Sequence, residues 1–396
     1  MLANRTSIIS PSVTIGISTK VNELKKQGIE VTNLSIGEPD FFTPEKAKLA
    51  AISAITTNRT KYDAASGLLE LKQAIIKKLN RDNNISYNTD EIIVSSGAKH
   101  SISNALLAIL NPDDEVIIPK PYWTSYPEMV KLLNGIPVFA DTKEKNSFKL
   151  QADELHSLIS NKTKAIFITN PSNPTGAIYT RSELEALVKL CIENNIYILA
   201  DEIYEKIVFD DSFTSVASIS NEAKDITITI NGLSKSAAMT GWRLGYAAAN
   251  ANLINAMSSI QGHLVSHPCT ITQWAAVEAL NSCESDTQNM VKIYCERRNN
   301  LIEMLEEIDD LSIVRPDGAF YTFINISKLK PFFSSTNSLS LEVSNILLDQ
   351  YRLAVVPGIA FGLDDYIRIT YAADMDTIFT GIDKIKQFLE DIKKQS

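Results

Sequence analysis

The sequence predicts an α/β protein: a mostly parallel sheet with helices on both faces, joined to a smaller α+β domain. Three observations carry this. Between about Glu91 and Tyr246, short β-branched runs alternate with helical patterns, the signature of a parallel sheet covered on both sides. After about Asn281, long helical patterns flank a few short strands instead. With 396 residues, 44% of them hydrophobic, the chain can bury a large core and form more than one domain.

Taken in order, residues 1–45 read as an N-terminal arm and part of the smaller domain, 46–285 as the large domain, and 286–396 as the rest of the small one. The large-domain strand candidates are Glu91–Ser95, Glu115–Pro119, Pro137–Ala140, Ala165–Thr169, Ile196–Ala200 and Ile226–Ile230. One intervening helix shows the logic. Thr180 and Glu183 have capping-box spacing, and Leu184, Leu187, Val188 and Cys191 recur at i, i+3, i+4 and i+7 to build one apolar face. The flanking strands and this helix form a βαβ unit. In the small domain, helices over Thr287–Glu307 and Thr377–Lys394 accompany strands Ala319–Ile324, Ala354–Val356 and Tyr366–Thr370.

Composition removes several classes. With 47 acidic and 38 basic residues the net charge is −9, and there is no basic stripe of the kind a nucleic-acid binder needs. Apolar runs such as Ala165–Ile168 are strand-length, far short of a membrane span. Met1 to Pro11 lacks a basic start followed by an apolar block, so no secretory signal is expected. Cys191, Cys269, Cys283 and Cys295 form no C-x-x-C pair and read as reduced thiols of a cytoplasmic protein.

Ligands of open parallel sheets sit outside the carboxyl ends of the strands, so the residues after each strand matter most. Ser96-Gly97-Ala98-Lys99 opens a helix after the first. Asn173 lies in the segment after Thr169, Asp201 and Tyr204 follow Ala200, and Ser234-Lys235 follows Ile230, with Arg243 eight positions on. An anion cradle, an amide, a carboxylate, a phenol, a lysine and an arginine thus converge on one edge. That set matches a phosphorylated pyridine aldehyde. Lys235 offers the amine that forms an imine, Asp201 a carboxylate that keeps the ring nitrogen protonated, and Tyr204 with Asn173 partners for the ring hydroxyl. The Gly97–Lys99 amides at a helix N-terminus and the fork of Arg243 suit the phosphate.

Taken singly these residues are ordinary: most serine-lysine pairs lie on surfaces, and an Asp at a strand end is more often a helix cap. Order and position give them weight. Asn173-Pro174-Thr175-Gly176, Asp201-Glu202-Ile203-Tyr204, Ser234-Lys235 through Trp242-Arg243, and Arg368-Ile369-Thr370-Tyr371 resemble the class I aminotransferases, more closely the bacterial aspartate aminotransferase branch that includes aspartate/prephenate enzymes. Ser35 to Phe41, Lys61-Tyr62 and Pro121-Tyr122-Trp123 extend the likeness from about Pro11 to the C-terminal helix.

The resemblance implies a seven-stranded sheet, pyridoxal 5′-phosphate (PLP) as cofactor, and a homodimer with shared sites. It implies that Lys235 is the Schiff-base lysine and moves the proton between the substrate α-carbon and the cofactor. Asp201 would pair with the pyridinium, Tyr204 and Asn173 would contact the ring hydroxyl, and Trp123 would stack on the ring. Arg243 with the Gly97, Ala98 and Lys99 amides would hold the phosphate, Ser234 would join the cofactor contacts, and Tyr62 would reach the partner's phosphate. Gly37 would close over the substrate, with Asn173 and Trp123 beside it, and Arg368 would bind its α-carboxylate. Arg368 also stands out by itself, because a guanidinium between Ile367 and Ile369 is costly unless paired, by a structural Asp or by substrate. In this branch a lysine at the place of Lys99 meets the distal carboxylate of dicarboxylic substrates. Aspartate or glutamate as donor, with 2-oxoglutarate or oxaloacetate as acceptor, is therefore expected.

Two segments depart from the family pattern. Gln261 to Pro268 is more apolar, at Leu264, Val265 and His267, than the polar stretch usual near the substrate pocket. Ser10 replaces the basic residue frequent in prephenate-using members. His263 and His267 have the i, i+4 spacing of a helical zinc pair but lack an acidic third ligand, and no metal is expected. Ser96-x-x-Lys99 has a serine acyl-enzyme form but lacks its companion motifs. Another PLP reaction on the same fold, an aromatic or biosynthetic aminotransferase or a β-lyase, stays open. A PLP-binding transcription regulator is not expected, because only about ten residues precede Pro11.

Overall fold

The computed structural model describes residues 2, 3, 5–11, 13–209, 213–333 and 336–395. Its central feature is a seven-stranded sheet of β1 (Ile92–Ser95), β2 (Glu115–Lys120), β3 (Ile136–Asp141), β4 (Thr163–Thr169), β5 (Tyr197–Asp201), β6 (Thr227–Gly232) and β7 (Gly245–Ala248), ordered β1-β7-β6-β5-β4-β2-β3. The five strands from β6 to β3 run parallel, and β7 is antiparallel to both of its neighbours. Six strands coincide with the sequence candidates to within a residue or two. β7 has no counterpart among them. Gly-Tyr-Ala-Ala has little β-propensity, but small residues are required there: a Cβ on Gly245 would collide with the Ala98 amide.

Helices cover both faces. On one side lie α1 (Ala98–Ile109) and α2 (Ala251–Leu264), whose Ile102, Leu106, Ile254 and Met257 pack with Ile93, Val116 and Phe167 of the sheet. On the other lies α3 (Arg181–Glu193), whose Leu184, Leu187, Val188 and Cys191 are buried against Ile117, Ile166 and Ile198. Both bonds of its capping box form: Glu183 N–H donates to Thr180 Oγ1 and Thr180 N–H donates to Glu183 Oε2 at 2.8 Å.

The C-terminal part centres on a four-stranded antiparallel sheet of β8 (Ser312–Ile313), β9 (Tyr321–Asn325), β10 (Val356–Pro357) and β11 (Tyr366–Thr370), ordered β10-β11-β9-β8. Helices Glu284–Glu306, Leu339–Tyr351 and Met375–Gln395 pack on it around Tyr294, Phe320 and Phe388. The single strand expected over Ala354–Val356 is two. Leu353–Ala354 pairs in parallel with Thr32–Asn33, whereas Val356–Pro357 pairs with β11. One apolar run thus serves two sheets, which its composition could not reveal. The same pairing ties the N-terminal segment to the C-terminal part, reinforced by Thr370 N–H donating to Leu34 O at 2.9 Å. Among the described residues no helix is long and apolar enough to cross a membrane.

Candidate active site

The carboxyl ends of β4, β5 and β6 open on a cleft of about 800 Å³, closed from the other side by β9, β11 and the segment after Asn33. Of the residues the sequence singled out, Gly37, Ala98, Lys99, Trp123, Asn173, Asp201, Tyr204, Ser234, Lys235, Arg243 and Arg368 all line it. Gly97 stands just behind, with φ of +91°, and a Cβ there would lie 2.5 Å from Arg243 Nη2. Only a glycine lets the arginine lie flat against the first turn of α1. Tyr62 lies outside the cleft, 91% exposed, with its ring edge-on to His267.

Asp201 is the last residue of β5 and is buried on the cleft floor. Its Oδ2 accepts from the Tyr126 hydroxyl at 2.7 Å, and Tyr126 also meets Thr169 Oγ1 at 2.9 Å. Burial raises the Asp201 carboxyl above its ordinary range, against the lowering effects of Tyr126 and Lys235. A cationic N–H facing it would relieve that cost. Sequence reasoning missed Tyr126: nothing in the spacing of its helix, Tyr126–Leu132, points to a carboxylate 75 residues on.

Lys235 follows β6 and reaches across the cleft, where its Nζ donates to Gly37 O. Burial lowers its ammonium to about 8; Arg368 and Arg243 act the same way, and Glu38 and Asp201 oppose. A lysine whose ammonium is lowered in this way is a better nucleophile near neutrality than an ordinary one. Arg243 is held by its Nη1, which donates to Thr240 O at 2.9 Å, while Thr240 Oγ1 donates to Glu38 Oε2 at 2.7 Å. Its guanidinium lies against Gly97 at the N-terminus of α1, and both features are of the kind that attracts anions. Lys99 Nζ lies 4.8 Å from the Trp123 ring centroid, and burial followed by the nearby Arg243 lowers its pKa. An added anion would be welcome there.

Arg368, on β11, is 3% exposed. Its Nη1 donates to Asn173 Oδ1 at 3.0 Å and its Nη2 to Ser35 O at 3.0 Å. Its Nε has no partner, and among the described residues no carboxylate pairs with it. The structural Asp that would have explained this buried charge is therefore not found among the described residues. Tyr321, also missed in the sequence, lies beneath the guanidinium, and its hydroxyl is 2.8 Å from that of Tyr204.

The histidine pair is not helical. α2 ends at Leu264, Ser266 has φ of +64°, and His267 leaves the helix direction. Its Nε2 accepts from Asp63 N–H at 3.2 Å and its Nδ1 meets Pro268 O at 2.7 Å. Leu264 and Val265 are exposed outside the cleft.

A family profile described as aminotransferase class I and II matches residues 29–385. A Bacillus sp. (strain YM-2) protein named aspartate aminotransferase is 45% identical, covering 98% of this chain and 99% of that protein. A Rickettsia prowazekii protein named probable aspartate/prephenate aminotransferase is 44% identical, covering 98% of each. A solved aspartate aminotransferase from Rhizobium meliloti superposes with a TM-score of 0.91 at 37% identity, over 97% of this chain and 98% of that one. Another from Thermus thermophilus, solved with maleate, gives 0.91 at 36%, over 98% and 99%. With these likenesses spanning nearly the whole chain, and a cleft assembled from the strand ends where its motifs lie, the protein belongs to the class I and II aminotransferases.

Proposed function

We propose that the chain is a PLP-dependent aminotransferase that moves the amino group of aspartate or glutamate to 2-oxoglutarate or oxaloacetate. The observation that carries this is Arg368: a buried guanidinium with an unsatisfied Nε and no carboxylate partner among the described residues. Such a charge is strongly unfavourable until an anion arrives, and a substrate α-carboxylate is that anion. The names of the relatives support the dicarboxylic class.

The residues present fit PLP. The Arg243 and α1 cradle, which a Cβ on Gly97 would fill, suits its phosphate. Asp201 is a buried acid whose raised pKa calls for a cationic N–H. When bound, PLP supplies an aldehyde that condenses with amines and a ring that withdraws electrons from the adjoining carbon. The protein does the rest. Lys235 Nζ, free to swing from the Gly37 carbonyl, removes the proton from the substrate α-carbon and serves as its carrier. Arg368 and Asn173 grip the α-carboxylate and fix the angle of the α-hydrogen. Lys99 Nζ meets the distal carboxylate. Trp123 covers one face and excludes water.

Tyr62, exposed and edge-on to His267, supports a homodimer in which Tyr62 enters the partner's site. Residues 1–45 and 286–396 would then act as the small domain over the 46–285 core. The test is a donor and acceptor screen on purified protein loaded with PLP. Aspartate or glutamate should be the fastest donor with a dicarboxylic acceptor. A preference for aromatic or branched donors would overturn the substrate class, and absence of amino transfer would overturn the activity.

A further inference from the structure

Besides Tyr126 and Tyr204, the cleft contains a third phenol, for which the proposed chemistry has no task. Tyr321 opens β9, and two residues on, Phe323 is the register partner of Arg368 on β11. The Tyr321 side chain is buried, yet it lines the cleft. Its hydroxyl lies 2.8 Å from the Tyr204 hydroxyl. The Arg368 guanidinium carbon sits 4.3 Å from its ring centroid. A Cβ on Gly37 would lie 3.2 Å from its hydroxyl. One side chain therefore meets the phenol and the guanidinium and leaves little room for a side chain at Gly37, three groups from separate segments.

Either phenol can donate in the Tyr204–Tyr321 bond, but their surroundings differ. Tyr204 stands beside Asp201 and Lys235, where a ligand ring would lie. Once the Tyr204 O–H turns to an oxygen of that ring, its own oxygen is left to accept, and the Tyr321 O–H is the donor beside it. Hydrogen bonds in series polarise one another and strengthen. The Tyr321 ring, meanwhile, offers Arg368 a π-face in a desolvated place, where cation–π attraction is largest.

We propose that Tyr321 is a positioning residue with two separable parts. Its hydroxyl donates to Tyr204 and strengthens the hydrogen bond that Tyr204 gives the cofactor ring oxygen. Its ring holds Arg368 in the orientation that receives a carboxylate. This rests on the PLP reading above. A stronger donor at the ring oxygen favours the anionic form of that oxygen, so it lowers the pH at which the visible absorbance of the bound cofactor titrates.

The experiment compares wild type, Tyr321→Phe and Tyr321→Leu, each loaded with PLP, by absorbance titration and by maleate binding, with thermal unfolding as the check on folding. Tyr321→Phe should raise the titration midpoint by about half a pH unit while changing the maleate dissociation constant less than about twofold. Tyr321→Leu should raise the midpoint equally and weaken maleate about tenfold. An unmoved midpoint in Tyr321→Phe overturns the role of the hydroxyl. Equal maleate affinity in the Phe and Leu variants overturns the role of the ring. A wild-type protein that binds no PLP, or whose absorbance does not titrate, overturns the PLP reading itself, whereas a normal wild-type titration with a silent Tyr321→Phe overturns this inference alone.

Discussion

At the scale of single residues, the site is a set of charges that the fold leaves unbalanced. Lys99 is the clearest lever on specificity, because burial and Arg243 both press its ammonium toward the neutral form. Lys99→Ala should lower kcat/KM for aspartate by about 10- to 100-fold, as for the loss of a charge-assisted bond of about 1.5–3 kcal/mol, and leave aromatic donors within a few-fold. Equal losses for both donors would mean that Lys99 serves the phosphate alone. Glu202 offers a test of pH dependence away from the chemistry. Its buried carboxyl accepts from Ser215 Oγ at 2.8 Å and Val216 N–H at 2.9 Å, and burial together with Glu205 pushes it up to about 8. Because the folded-state pKa is raised, its contribution to stability is complete below the ordinary carboxylate range and is lost as pH rises through about 8. Thermal unfolding should therefore show Glu202→Gln gaining on wild type as pH rises from about 5 to about 9, and a constant difference would contradict this. Asp201, Lys235 and Arg243 were legible in the sequence because each follows a strand at a readable distance. Tyr126 and Tyr321 were not, because each acts on a residue 75 or 117 positions away, and only the folded chain brings them there.

At the scale of elements, local chemistry and long-range packing divide the credit. The helix from Arg181 was readable to its first residue, because its capping box and apolar stripe agree with one another. Thr180→Ala should cost about 1 kcal/mol, measurable by denaturant unfolding, and no change would mean that Glu183 and Lys149 hold the helix end unaided. β7 was illegible for the opposite reason. Its Gly-Tyr-Ala-Ala is chosen for close approach to the start of α1, not for strand propensity. Leu353–Pro357 shows a third case, in which one apolar run is shared between two sheets. The i, i+4 spacing of His263 and His267 has no helical counterpart, because α2 stops at Leu264. Helix ends are the least certain feature of any periodic pattern.

At the scale of the whole molecule, the architecture explains how a chain of net charge −9 offers a cleft suited to an anionic substrate. Strand ends of one part supply Asp201, Lys235 and Arg243, strands of the other supply Tyr321 and Arg368, and with Lys25 and Lys99 five basic side chains line one cavity. The fold class was readable because alternation of strand and helix is a property of the chain taken as a whole. The cleft needs both parts in register, and that lies in tertiary contacts such as Thr32–Asn33 against Leu353–Ala354. Every proposed role depends on Lys235 being the residue that holds the cofactor. The direct measurement is borohydride reduction of the PLP-loaded protein followed by peptide mass mapping. The account predicts a single pyridoxyl-phosphate adduct on Lys235, and none anywhere in Lys235→Ala. An adduct on a different lysine, or an unmodified Lys235 in a protein that still transfers amino groups, would contradict it.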